Sequence, residues 1–211
     1  MKYFALAVLT GAILSPCAAF AKPLTYPGGW QTMAETRGDA FMLLNSYTIT
    51  PTLGFGLQNE YDREGDYQMH SLTMINRLWR GNYPDAQANL FLHSGVGYAR
   101  ADGGDEESAA AYTGLLADWE NRRFYTEYSN HYINAGDVNK EFTQRGRVGV
   151  APYIGEAGDL HTWLIVQVDH HPERDDNFTV TPVVRFLKGS TMVEAGVSES
   201  GEGLFHLMHA F

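Results

Sequence analysis

Asp169-His170-His171, followed by the acidic stretch Pro172 to Asn177, is the best-placed group for acid–base chemistry in the chain. A carboxylate beside an imidazole can orient the ring and raise its basicity, as a general base requires. In an extended chain adjacent side chains point to opposite faces. Asp169 therefore shares a face with His171 and not with His170, which makes Asp169 and His171 the catalytic candidates. No nucleophile elbow, Asp-x-Asp pair or His-x-Ser spacing accompanies them, and His70-Ser71 and His93-Ser94 are adjacent pairs that would split across a sheet. The same stretch has a second chemistry. His170 and His171 with Glu173, Asp175 and Asp176 would attract divalent cations, or would simply be a solvated polar loop. His70, His93, His131, His161 and His206 show no His-x-x-x-His ligand spacing within one element. No cofactor motif is present, so none is expected.

Other charges recur on one side of an alternating pattern: Glu60, Arg77, Glu127, Arg145, Arg147, Asp169, Arg185 and Glu194. The elements that position them are strands. Leu53, Phe55 and Leu57 alternate with Gly54, Gly56 and Gln58. Leu90, Leu92, Val96 and Tyr98 alternate with Phe91, His93, Gly95 and Gly97, and Leu164, Val166 and Val168 continue the theme. Eleven such segments run from residue 40 to the end, each bounded by Gly, Asn, Asp or Pro, and a weaker twelfth covers Trp30 to Thr36. Short connections (ITPT, ENRR, LKGS) alternate with longer polar ones (ADGGDEES, NAGDVNKE, HHPERDDN). Antiparallel strands of dyad period with that alternation are expected of an all-β transmembrane barrel.

A soluble β-barrel or sandwich has the same period with its faces reversed. Two features favour the membrane. Tyr47, Tyr61, Trp79, Tyr98, Trp119, Phe178, Phe186 and Phe211 sit near strand ends, as interfacial girdles require. The opposite face carries charges that suit a polar lumen and not lipid. Closure calls for an even strand number, and twelve is the count, with ten or eight if weak segments merge. Pro152 and Pro182 imply bulges or mistaken assignments, because proline lacks the ladder donor. The lumenal charges either line a channel or pair across a narrow barrel and plug it.

The first 21 residues have one Lys, an apolar run from Tyr3 to Leu14 and a small-residue end at Ala19-Phe20-Ala21. That is the layout of a signal peptide cleaved after Ala21, leaving residues 22–211 as one domain. The run is too short for a membrane helix of about 20 residues. Lipidation at Cys17 is a minor alternative, since Pro16 fits a lipobox poorly. Cleavage removes the only Cys together with Lys2. That leaves 14 cations against 25 carboxylates, a formal charge of −11. Without clustered Lys and Arg, nucleic-acid binding is excluded.

The chain ends GLFHLMHAF. Gly203, Phe205, Leu207 and Phe211 resemble the C-terminal assembly signal of Gram-negative outer-membrane barrels, and His209 departs from it. The mature chain also resembles a poorly characterised group of small proteobacterial outer-membrane proteins, on YPGGW (26–30), DAQANLFLHSGVGYA (85–99) and residues 183–211. That resemblance implies an outer-membrane location. The partners it implies are the bilayer, lipopolysaccharide and the barrel-assembly machinery, with divalent cations at acidic loops. It brings no activity. The expected role is structural or limited passage of small solutes. The alternatives are a surface enzyme acting on lipid or peptide, and a soluble periplasmic barrel binding an apolar ligand.

Overall fold

A computed structural model describes residues 22–63, 65–101, 106–156, 158–174 and 177–211. The signal segment with Cys17, and the loop residues Asp175 and Asp176, lie outside the described residues. Each alternating segment forms a strand: β1 (Trp30–Arg37), β2 (Ala40–Thr50), β3 (Leu53–Asp62), β4 (Tyr67–Asn82), β5 (Ala86–Ala101), β6 (Glu107–Asn121), β7 (Phe124–Ala135), β8 (Asn139–Val150), β9 (His161–His170), β10 (Phe178–Lys188), β11 (Thr191–Val197) and β12 (Gly203–Ala210). All neighbours pair antiparallel, and the twelve strands close into a barrel through β1 and β12, in register from Gln31↔Ala210 to Arg37↔Leu204. Closure leaves no edge strand, so every backbone donor and acceptor on both sides of the sheet can be used.

The two ends of the barrel differ. One, the loop end, carries the connections 38–39, 63–66, 102–106, 136–138, 171–177 and 198–202. The other, the turn end, has four tight connections and one long one, residues 151–160. That long connection shows that the strand assignment across Pro152 is the mistaken one, since β8 ends at Val150. Ala151 N donates to Arg123 O at 2.9 Å, and Pro152, which has no donor, ends the ladder there. Pro182 does lie inside β10, opposite Val166, and causes no bulge. Its carbonyl faces β11, so its missing N–H falls just past the last β10–β11 pair, Val183↔Gly196. An irregularity occurs instead in β4, where the register shifts between Arg77 and Trp79 and turns both Leu78 and Trp79 outward.

The faces are unambiguous. Leu57, Leu72, Val96, Val148 and Val166 stand on the outer wall, with Leu57 at 62% and Val96 at 63% exposure. Aromatics ring both ends of that apolar band: Trp30, Tyr47, Trp79, Trp119, Phe124, Phe186 and Phe211 at the turn end, and Phe41, Tyr98 and Phe178 at the loop end. A soluble ligand-binding barrel would put its aliphatic residues inside. Here the exterior is apolar and Glu194, Gln167 and Asp169 are buried within. Burying such a wall in water-free hydrocarbon is favourable, and the charges avoid it. The fold is a twelve-stranded transmembrane β-barrel.

Candidate functional site in the barrel interior

Period two sends every second residue of β8 to β12 and β1 inward; apolar Trp163, Ile165, Val183 and Leu204 form one buried cluster there, and charged, imidazole and amide side chains occupy much of the remainder. Arg145 lies opposite Asp169, Arg147 opposite Gln167, Arg185 opposite Glu194, and Glu194 opposite His206, which in turn faces Glu35. The sheet register alone thus lays donors beside acceptors around half the wall.

Two linked clusters result. In the upper one, nearer the loop end, Asp169 Oδ1 accepts from Arg37 Nη1 and Arg145 Nε, both at 2.8 Å, and Arg145 Nη2 reaches Glu35 Oε1 at 2.9 Å. In the lower one, Glu194 is 0% exposed and is held by Arg185 Nε at 2.5 Å, Arg147 Nη1 at 3.2 Å and His206 Nδ1 at 3.0 Å. Gln167 joins them, accepting from Arg147 Nε at 2.7 Å and donating to Asp169 Oδ2. Tyr125 donates to Glu127, accepts from Arg185 Nη2 at 3.3 Å, and lies with its ring 4.4 Å beneath that guanidinium. A buried charge without a partner is costly, and here each carboxylate meets at least one fixed donor.

The facing wall, β3 to β7, is less charged. Glu60 accepts from Tyr67 at 2.9 Å, Tyr112 donates to Gln58 at 3.0 Å, and the His131 ring lies 4.8 Å from that of Tyr112. A vestibule of about 580 Å³ opens at the loop end over Asp62, His171, Arg174, Ser198 and Glu202. It shares Arg37 and Asp169 with a middle chamber of about 250 Å³, lined further by Glu60, His93, His131 and Arg145. A third cavity of about 330 Å³ sits at the turn end, between Glu120, Arg122, Gly155 and Trp163.

All eight charges singled out in the sequence lie on the inner face. Seven belong to these networks. Arg77 does not, since it stands beside Arg80 near the turn end with no carboxylate pairing to it among the described residues. Glu35, Arg37, Tyr125, Gln167 and His206 were missed. Glu35-x-Arg37 has the right spacing, but Glu35 lies in the weakest of the twelve segments and Arg37 falls in the turn that follows it in the sequence pattern. Asp169 and His171 do share the inner face, yet His171 Nδ1 pairs with Glu141 at 2.9 Å, not with Asp169, whose oxygens are taken by Arg37, Arg145 and Gln167. His170 projects outward, stacks on Phe178 at 4.2 Å and meets Gln144. His170 and His171 therefore stand on opposite sides of the wall. Among the described residues no three His, Cys, Asp or Glu side chains are grouped to hold a metal.

The C-terminal residues lie in the wall itself. Gly203, Phe205, Leu207 and Phe211 face outward, and Phe211 N donates to Trp30 O at 2.8 Å. His209, also outward, is satisfied by its register partner Thr191 at 2.8 Å and packs edge-on to Phe211 at 4.6 Å.

No family model matches the chain, and no curated protein matches it. Among solved structures, the KdgM porin in complex with disordered oligogalacturonate aligns with a TM-score of 0.51 at 9% identity, over 87% of this chain and 98% of that one. OccK8 (OprE) of Pseudomonas aeruginosa aligns with a TM-score of 0.41 at 10% identity, over 84% of this chain and 62% of that one. The likeness to KdgM is one of fold.

Proposed function

We propose that this chain is an outer-membrane channel for small polar solutes, its loop end outside and its turn end in the periplasm. The observation that carries the reading is the interior. A vestibule open at the loop end leads into a chamber through a ring of fixed charges, Arg37, Glu35, Arg145 and Asp169. A barrel of about twelve strands lies between small filled ones and wide aqueous pores, which suits solutes of modest size. The barrel of like fold that holds an oligogalacturonate supports passage of polar solutes. Here cations and carboxylates alternate and are mutually paired, so the lumen favours neutral and zwitterionic solutes over long polyanions. Export by the segment 1–21, and folding by the assembly machinery through Gly203, Phe205, Leu207 and Phe211, belong to the same proposal, as does lipopolysaccharide around the outer girdle.

Purified protein in a planar bilayer should give discrete current steps with weak ion selectivity, and liposomes carrying it should swell in small sugars. A barrel that folds, shifts on heating in a gel and yet passes neither ions nor sugars would overturn the proposal.

A further inference from the structure

Residues 22–25 lie inside the barrel, between the middle chamber and the turn-end cavity. Leu24 is buried with Leu44, Ile75 and Phe91, and Met42 and Leu116, which line the chamber, pack against that cluster. Gly54 makes room for it, because a Cβ there would lie 2.7 Å from Leu24 Cδ2. One step further on, Lys22 Nζ sits 2.5 Å from Asp118 Oδ1 and 3.0 Å from Glu120 Oε1, the Lys22 and Asp118 side chains being 7% and 2% exposed. Asp118 also accepts from Asn89 Nδ2 at 2.9 Å, and Glu120 lines the turn-end cavity. Among the described residues the backbone at the far side of the segment is bonded to the wall, where Thr25 N donates to Thr48 Oγ1 at 3.1 Å and Gly28 N to Thr48 O at 2.7 Å. No described residue lines both the chamber and the turn-end cavity.

We propose that residues 22–25 are a tethered plug, and that Asp118, Glu120 and Asn89 form the primary-ammonium site that seats it. The proposal rests on the channel reading above. The apolar layer around Leu24 is dry when occupied, and a dry layer blocks hydrated solutes. The clasp is of a kind that can let go. An ammonium is a compact point charge on a flexible stem, without the forked geometry that locks a guanidinium in place. Once Lys22 leaves, water from the turn-end cavity reaches Glu120 and Asp118. With cleavage after Ala21, Lys22 is the first residue of the mature chain. The plug is then a free end. A soluble alkylammonium should compete for the site.

The test uses full-length mature protein in two readouts. Leu24→Cys gives a sole thiol, and a water-soluble maleimide should label it slowly. Adding Asp118→Asn, or Lys22→Met should the first variant fail to fold, should speed labelling about tenfold, equivalent to about 1.4 kcal/mol. In bilayers, the same Asp118→Asn and Lys22→Met changes in the Leu24 background should raise the mean open time several-fold, as should spermidine added on the turn side. Equal labelling rates with and without the clasp would overturn the plug whatever the bilayer shows. Accelerated labelling with silent bilayers in every variant would count for a mobile segment and against the channel.

Discussion

The network around Glu194 and the clasp around Lys22 both bury charge inside one barrel, and they differ in what holds the charges in place. Arg147, Arg185 and His206 are fixed on strands whose backbones already pair, and Arg185 and His206 are direct register partners of Glu194. Lys22 reaches Asp118 from a segment that belongs to no strand. The first kind of site has nowhere to relax if a partner is lost, whereas the second can swing away and let water in. Phe211 and Lys22 repeat the contrast. Phe211 N is bonded to Trp30 O and its carbonyl accepts from Tyr26 at 2.5 Å, while Lys22 depends on side-chain contacts. Rigid charge shapes a lumen, and tethered charge can gate it.

The largest effect is expected from Glu194→Ala, which strands two guanidiniums and a histidine in a buried site. A loss of about 3–5 kcal/mol should show as a sharply lowered midpoint in urea unfolding followed by heat-modifiable gel migration. A loss no larger than that of Lys22→Met would erase the distinction between the two sites. Phe211→Ser should come next. It removes the aromatic anchor at the fixed end and should reduce the assembled protein in outer-membrane fractions several-fold, and normal amounts would show that this end is not what assembly reads. Glu35→Gln leaves Arg145 its Asp169 partner, so about 1–2 kcal/mol is expected, along with a reversal potential moved toward anions in a salt gradient. An unchanged reversal potential would place Glu35 away from the conducting path. Smallest in stability is Lys22→Met, well below the cost of Glu194→Ala because the freed segment lets the carboxylates rehydrate. A cost as large as that of Glu194→Ala would mean that the clasp is as rigid as the belt.

Much of this was legible in the sequence for a local reason. Period-two alternation is written within each strand, so Leu57, Val96 and Val166 could be set on one face and Glu60, Arg147 and Glu194 on the other before any partner was known. Turn residues marked the strand ends to within a few positions. The errors also had local causes. Pro152 stops β8 at Val150 where the apolar pattern runs on to Ile154, and the bulge at Leu78 is silent in a sequence where either neighbour could face lipid.

What the tertiary structure alone decided is who meets whom. Arg145 finds Glu35 across 110 residues, Arg37 finds Asp169 across 132, and Lys22 finds Asp118 across 96. Those meetings depend on closure of β1 onto β12 and on the stagger of the strands around the barrel. Both are properties of the whole sheet and not of any segment. The sequence by itself determined a run of two-faced strands and a charged inner surface, because side-chain alternation follows from backbone geometry residue by residue. Its division into a fixed belt and a tethered plug came only when the cylinder closed and brought distant strands, and the segment 22–25, into the same narrow space.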